Sequence, residues 1–240
     1  MCGILGVFNS PDASKMVSLG LFAEQHRGQE SCGMAVLDKK VFRLKKKMGL
    51  VKDIFTSEIQ EKMKGNIAIG HVRYPTRGFS DEFNSQPHLV ELFGNKNYIL
   101  ASNGDIVNYK SRRKFLEEKG VSFKSHNDGE LILKNIIYNF SIKNISVIES
   151  IKATMSELKG AFSTVLASND SMYIFRDPNG FRPLTWGKTK DGTTIVASES
   201  CAIDILKPEW RKEVNPSQII HVTKNSTEEI NLDPNDFRDN

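Results

Sequence analysis

The run Ala161-Phe162-Ser163-Thr164-Val165-Leu166-Ala167 contains no charged residue and no turn former. A strand with one face in water alternates apolar and polar residues. A nearly continuous run like this one fits a strand covered on both faces. Further short runs lie near residues 3–8, 33–38, 41–45, 66–72, 97–102, 171–176, 184–187, 193–198 and 218–222, set off by turn-forming residues. Helical spacing intervenes in only a few places. Residues 12–27 carry Ala13, Met16, Val17, Gly20 and Leu21, and Gly28 ends the pattern. Helices are also expected over 108–119, over 129–140 with Asp128 at the N-cap position, and from a Ser146 cap to Leu158. Strands and helices do not alternate as βαβ units. The expectation is an α+β fold of stacked sheets covered by helices.

Composition narrows the function classes. The 240 residues suffice for one large domain or two small ones, and 39% hydrophobic with 26% charged residues fits a soluble globular protein. No apolar run approaches the roughly 18 residues of a membrane span, so no membrane partner is expected. Nor does the start read as a signal peptide. Cys2, Cys32 and Cys201 form no C-x-x-C pair and are too few for a disulfide framework, which suits a reducing cytoplasm. The formal charge is +4; Lys45-Lys46-Lys47 and Arg112-Arg113-Lys114 read as solvated surface, and no nucleic-acid motif is present. His71, His88, His126 and His221 lack metal-ligand spacing, so neither a metal nor a cofactor is expected. Residues 223–240 turn polar and read as a tail or surface strap beyond a domain spanning 1–222.

Four places carry candidate chemistry. Cys2 follows Met1 and opens the run Gly3-Ile4-Leu5-Gly6-Val7-Phe8. Removal of Met1 would put a thiol and a free α-amine on one residue. An α-amine has a pKa of about 7.7–8.0, so it can serve as a base near neutral pH and activate the thiol beside it. Packing alone is the ordinary fate of a Cys next to an apolar strand. Arg73 sits in the loop after the run Ile67-Ala68-Ile69-Gly70 and has the fork geometry to hold a carboxylate; a surface Arg in a turn is the plainer reading. Asn103-Gly104 follows Tyr98-Ile99-Leu100-Ala101, and an Asn amide with a Gly N–H can serve a developing oxyanion, or simply make a tight turn. Asp128 is either a helix cap or a carboxylate for an ammonium group. Asp177-Pro178-Asn179-Gly180 reads as a hairpin turn without chemistry.

These pieces occur in one order. Met1-Cys2-Gly3-Ile4, His26-Arg27-Gly28-Gln29-Glu30, Gly70-His71-Val72-Arg73-Tyr74-Pro75-Thr76, Ser102-Asn103-Gly104, Phe175-Arg176-Asp177-Pro178-Asn179-Gly180-Phe181-Arg182-Pro183-Leu184 and Ala197-Ser198-Glu199-Ser200 succeed one another along the chain. The chain resembles the class II glutamine amidotransferases, a group of N-terminal-nucleophile hydrolases. Within that group it is most similar to the glutaminase domain of the phosphoribosylpyrophosphate amidotransferases of purine synthesis. The resemblance implies a four-layer αββα fold. It also implies roles: Cys2 as nucleophile, Asn103 and Gly104 as oxyanion hole, Arg73 with Thr76 for the glutamine α-carboxylate, Asp128 for the α-ammonium, and Arg27 to position the N-terminal residue. Many members have His where Ser102 stands and Asn where Asp105 stands. No phosphoribosyltransferase signature follows in residues 200–240. The implied activity is glutamine hydrolysis with ammonia passed to a separate synthase. A regulatory subunit with a vestigial site, or an amidohydrolase acting on another amide, are the alternatives.

Overall fold

The computed structural model describes residues 1–75, 80–94 and 96–237. Its chain opens with β1 (Gly3–Phe8), α1 (Ala13–Ala23), β2 (Ser31–Asp38), β3 (Val41–Met48), α2 (Val51–Ile54), α3 (Ser57–Lys62) and β4 (Ile67–Arg73). It continues through β5 (His88–Leu92), β6 (Lys96–Ile106), α4 (Tyr109–Glu118), α5 (Asp128–Ile142) and α6 (Val147–Glu157). Next come β7 (Gly160–Ala167), β8 (Ser171–Arg176), β9 (Thr185–Lys188), β10 (Thr194–Ala197) and α7 (Ser200–Asp204). Last are β11 (Trp210–Glu213), β12 (Gln218–Thr223) and β13 (Thr227–Asn231).

Among the described residues these strands form two antiparallel sheets. One has the order β11-β9-β10-β1-β4-β2-β3 and the other β13-β12-β8-β7-β6-β5. Three apolar layers result. Ile4, Ile69, Ile99, Val165 and Ile174 fill the space between the sheets. Leu5, Val17, Leu21 and Val72 belong to the layer between the seven-stranded sheet and α1. Leu100, Leu131, Ile136, Ile151 and Leu166 form the layer between the other sheet and α5 and α6. Consecutive residues of β1, Ile4 and Leu5, thus enter different cores, as strands buried on both faces require. This is the four-layer αββα, α+β architecture. Helix α1 packs close to its sheet because Gly70 lies beneath it. A Cβ there would stand 2.4 Å from Val17 Cγ1 and 2.6 Å from Leu21 Cδ1.

Several details differ from the sequence reading. The expected helix 12–27 stops at Ala23 and continues as a tight 3₁₀ turn, Gln25–Arg27. The cap of α5 is Asn127, whose side chain accepts the Gly129 N–H at 2.8 Å; Asp128 is the first helical residue. Asp177–Gly180 is not a hairpin turn, since β8 and β9 belong to different sheets and the segment crosses between them. Its buried Asp177 carboxylate accepts backbone N–H groups from Phe162, Asn179 and Gly180 at 2.9–3.0 Å, which fixes the crossing. Thr227–Asn231, read as polar tail, pairs with β12. The basic clusters are partly tied down: Lys46 Nζ donates to the Ser85 carbonyl at 2.7 Å, and Arg112 pairs with Glu157 at 2.7 Å.

Candidate functional site

Cys2 precedes the first residue of β1, and its neighbour Gly3 pairs with Val72 of β4. The Cys2 side chain is buried, with Sγ 3.6 Å from the Tyr74 carbonyl oxygen. Arg27 holds the same residue from behind. Its Nε donates to the Cys2 carbonyl at 2.8 Å, and its Nη1 pairs with Glu199. The 3₁₀ turn that carries Arg27 can approach β4 because Gly28 has no side chain; a Cβ there would stand 2.5 Å from the Arg73 carbonyl carbon. Burial pushes the Cys2 thiol up, and the Tyr74 backbone, the N-terminal amine, Arg73 and Arg27 pull it partly back. Met1 is present, so the Cys2 nitrogen here is a peptide nitrogen.

Arg73 ends β4 and is 1% exposed, the second-largest fully buried side chain. Its Nη1 lies 2.6 Å from Glu30 Oε2, and the Glu30 N–H donates to the Arg73 carbonyl at 3.2 Å. A buried guanidinium needs a counter-charge, and Glu30 supplies one that also helps hold Arg73 in place. The surface-turn reading of Arg73 therefore fails. Thr76 lies outside the described residues.

Asn103 and Gly104 lie within β6, opposite Ser163 and Phe162 of β7, so the Asn-Gly pair is no tight turn. Asn103 is 2% exposed and its Nδ2 has no hydrogen-bond partner. A buried unpaired donor costs about 1–3 kcal/mol, and among the described residues no group accepts from this one, so it suits an acceptor brought by a ligand. Asp128 is buried at the start of α5 and accepts the Ile106 N–H through Oδ2 at 3.4 Å.

One residue the sequence did not suggest joins the two groups. Gln86 is 3% exposed. Its Nε2 lies 3.1 Å from His71 Nε2 on β4 and donates to the Ser102 carbonyl on β6 at 2.9 Å. Its Oε1 accepts the Ser102 N–H at 2.8 Å. That oxygen also lies against α5, 2.4 Å from where a Gly129 Cβ would be. Gln86 thereby ties together the strand carrying Arg73, the strand carrying Asn103 and the helix carrying Asp128. Nothing in the sequence marks Gln86, which follows the largely polar stretch 80–85.

His71 and His88 flank this bridge, and burial pushes both down to about 3, so they are neutral at ordinary pH. His88 Nε2 lies 3.2 Å from the Asn127 side-chain oxygen. Among the described residues no three His, Cys, Asp or Glu groups gather as they would around a metal ion. None of the helices there is long and apolar enough to cross a membrane.

A family profile described as a glutamine amidotransferase domain matches residues 76–204. The chain belongs to the glutamine amidotransferase family. The amidophosphoribosyltransferase of Methanocaldococcus jannaschii is 40% identical over 225 residues, covering 92% of this chain and 47% of the relative. That of Methanothermobacter thermautotrophicus is 38% identical over 240 residues, 99% of this chain and 50% of the relative. The structure of the glutamine phosphoribosylpyrophosphate amidotransferase of B. subtilis, complexed with ADP and GMP, superposes with a TM-score of 0.86 at 31% identity. It covers 96% of this chain and 49% of that one. The chain therefore spans about half the length of the curated relatives it matches. The stacked-sheet fold expected of this amidotransferase family is the one observed. Cys2, Arg27 and Arg73 lie at one end of the seven-stranded sheet, and Gln86 links β4, which ends in Arg73, to Ser102, the neighbour of Asn103, and packs against Gly129, the neighbour of Asp128.

Proposed function

We propose that the protein hydrolyses L-glutamine through Cys2 and delivers the ammonia to an acceptor site outside residues 1–240. The observation that supports this most is the treatment of Cys2. Its carbonyl is gripped by a buried Arg27, and its thiol lies against the residue that follows the buried Arg73. A Cys kept only for packing needs no such polar clamp.

In this reading Met1 is removed and the freed α-amine takes the Cys2 thiol proton. The thiolate adds to the glutamine side-chain amide carbon. The oxyanion that forms is met by the Asn103 amide and the Gly104 N–H. The tetrahedral adduct expels ammonia, which takes up the proton held by the amine, and leaves a γ-glutamyl thioester on Cys2. Water cleaves the thioester to glutamate and returns the thiol. Arg73 holds the substrate α-carboxylate and Asp128 its α-ammonium, so both charges of the zwitterion are paired in the buried site. Thr76 would assist at the carboxylate.

The acceptor is a separate synthase or domain. Tyr74 and Phe181 expose large apolar surface beside the site, at 53% and 73%. Phe181 precedes Arg182, whose Nη1 lies 3.0 Å from Met1 Sδ. An apolar rim around the nucleophile suits a partner that must receive ammonia away from water. The test is a glutaminase assay on purified protein and on Cys2→Ala. Glutamate release by the first and none by the second is expected. Equal release by both would overturn the reading.

A further inference from the structure

Glu24 joins α1 to the turn bearing Arg27 and is wholly buried, at 0% exposure. Its Oε1 accepts the Glu199 backbone N–H at 2.7 Å, while its Oε2 has no hydrogen-bond partner. A Cβ on Gly3 would lie 2.7 Å from that Oε2, so the unpartnered oxygen presses on the residue next to the nucleophile. The surroundings form a closed chain of contacts. Glu199 accepts from Arg27 Nη1, and Arg27 Nε donates to the Cys2 carbonyl. Ser198 and Ile4 exchange two hydrogen bonds: the Ile4 N–H donates to Ser198 Oγ and the Ser198 N–H to the Ile4 carbonyl, each at 3.0 Å. Glu24 thus anchors the backbone of the residue whose side chain steadies the arginine that holds Cys2.

We propose that Glu24 is a positioning residue for the Cys2 nucleophile: it fixes the 198–199 segment and, through Glu199, the Arg27 grip on the Cys2 carbonyl. This inference rests on the glutaminase reading of Cys2.

The charges around Glu24 explain why the neutral form is the working one. Arg27 faces it from the turn, and Ser198, Glu199 and Cys201 from the 198–201 segment. Arg27 is the one buried cation in this group, and it is already committed to the Cys2 carbonyl and Glu199. Its remaining Nη2 is buried without a hydrogen-bond partner. An ionised Glu24 would draw this free end of the guanidinium toward itself, at the expense of the Cys2 carbonyl contact. Burial pushes the Glu24 carboxyl up to about 8, against the pull of the Glu199 N–H and Arg27. Ionised Glu24 draws Arg27 away from the Cys2 carbonyl. It also places negative charge beside a centre that must itself become an anion.

The Cys2 amine and Glu24 then act on opposite limbs of a pH profile. Deprotonation of the amine raises activity, and deprotonation of Glu24 lowers it. The experiment measures kcat/KM for glutamine against pH in wild type, Glu24→Gln and Glu24→Leu, with melting temperatures over the same range. Gln keeps an acceptor for the Glu199 N–H but cannot ionise. Wild type should lose activity roughly tenfold per pH unit above about 8, and Glu24→Gln should keep the rising limb and lack the fall. Wild type should also lose stability relative to Glu24→Gln as pH rises from 4.5 to about 8, because the folded state holds the proton over that interval and the unfolded chain does not. Glu24→Leu should lower kcat more than it raises KM and should also lack the alkaline fall. If Leu prevents folding, the Gln variant decides alone. The same alkaline fall in Glu24→Gln as in an active wild type overturns the inference and leaves the glutaminase reading standing. A stability difference without a change in the activity profile overturns it too, since Glu24 would then be structural only. An inactive wild type removes the glutaminase reading, and this inference with it.

Discussion

Arg73 and Glu30 form a buried ion pair, Nη1 to Oε2 at 2.6 Å, with side chains 2% and 11% exposed. Glu30 belongs to the same segment as Arg27, so one short stretch supports both the nucleophile and the proposed carboxylate site. Glu30 supplies a counter-charge to the buried Arg73 guanidinium. Arg73→Ala should raise the KM for glutamine strongly, because truncating one partner of a desolvated charge pair costs about 2–5 kcal/mol. Glu30→Gln leaves the guanidinium in place with a weaker partner. It should lower unfolding stability by about 3 kcal/mol and raise KM less than Arg73→Ala does. Denaturant titration and steady-state kinetics on both variants check this. An unchanged KM in Arg73→Ala would exclude Arg73 from substrate binding.

Asn103→Ala separates function from stability. Among the described residues nothing accepts from the Asn103 Nδ2, so its removal leaves no acceptor of theirs unpaired. Stability should hold or rise slightly, whereas kcat should fall by about 10²–10³, the usual loss for one oxyanion donor. KM should change little. A stability loss of several kcal/mol would instead mark Asn103 as a structural residue of β6.

A glutamine-like diazo ketone should label Cys2 ahead of Cys201, and Cys32 last. Cys32 is 0% exposed and burial pushes its thiol up to about 12. Cys201 is exposed, but burial and then Glu199 raise its thiol, and it lies on no substrate site described above. Peptide mass mapping gives the order, and the intact mass shows whether the active chain lacks Met1. Retained Met1 in fully active protein would exclude the Cys2 amine as base.

The parts of this fold that the sequence made legible are those buried on both faces. β1, β7 and β8 read correctly because they lie between two cores and carry nearly continuous apolar runs. The three strands that went unread, β5, β11 and β13, are all sheet edges. Trp210-Arg211-Lys212-Glu213 is exposed throughout, and Thr227-Glu228-Glu229-Ile230-Asn231 nearly so, so neither bears an alternation to read. Charge on such edges protects them from pairing with other chains, at the expense of their signal. The site shows the same division. The candidate residues Cys2, Arg73, Asn103 and Asp128 were named from residue type and family order. Glu30, Gln86 and Glu24 were not, because their roles come from partners 16 to 175 positions away in the chain.

Gln86 should be the main polar tie between the sheets near the site. Gln86→Leu leaves the Ser102 N–H and carbonyl without their partner in a buried place. The expected loss is roughly 3 kcal/mol, taking about 1–3 kcal/mol for each stranded group. Activity should fall with it, since Arg73 and Asn103 lose their common reference. Thermal melts and kcat/KM of Gln86→Leu and Gln86→Glu test this; unchanged values in both would mean the two strands hold their spacing without Gln86.

Acid should unfold this protein through His71 and His88. Both are buried within the bridge region, and burial pushes each down to about 3 from an ordinary 6.5. The sign follows from proton counting. Between pH 6.5 and about 3 the unfolded chain binds the two protons and the folded protein does not, so stability present above 6.5 drains away as pH falls. Two protons correspond to a slope of up to about 2.7 kcal/mol per pH unit in that window. The Gln86 bridge sets the outcome for His71: its Nε2 contact serves the neutral ring, and an imidazolium there would face an amide N–H that repels it, unless Gln86 turned over and released Ser102. Urea melts at successive pH values, read by tryptophan fluorescence, should show the midpoint falling from pH 6.5 downward. Replacing His88 by Gln should remove about half of the dependence while leaving the neutral-pH midpoint within reach of wild type. A flat midpoint down to pH 4 in the unmodified protein would mean that these rings accept protons without unfolding the site, and that the bridge is looser than its hydrogen bonds describe.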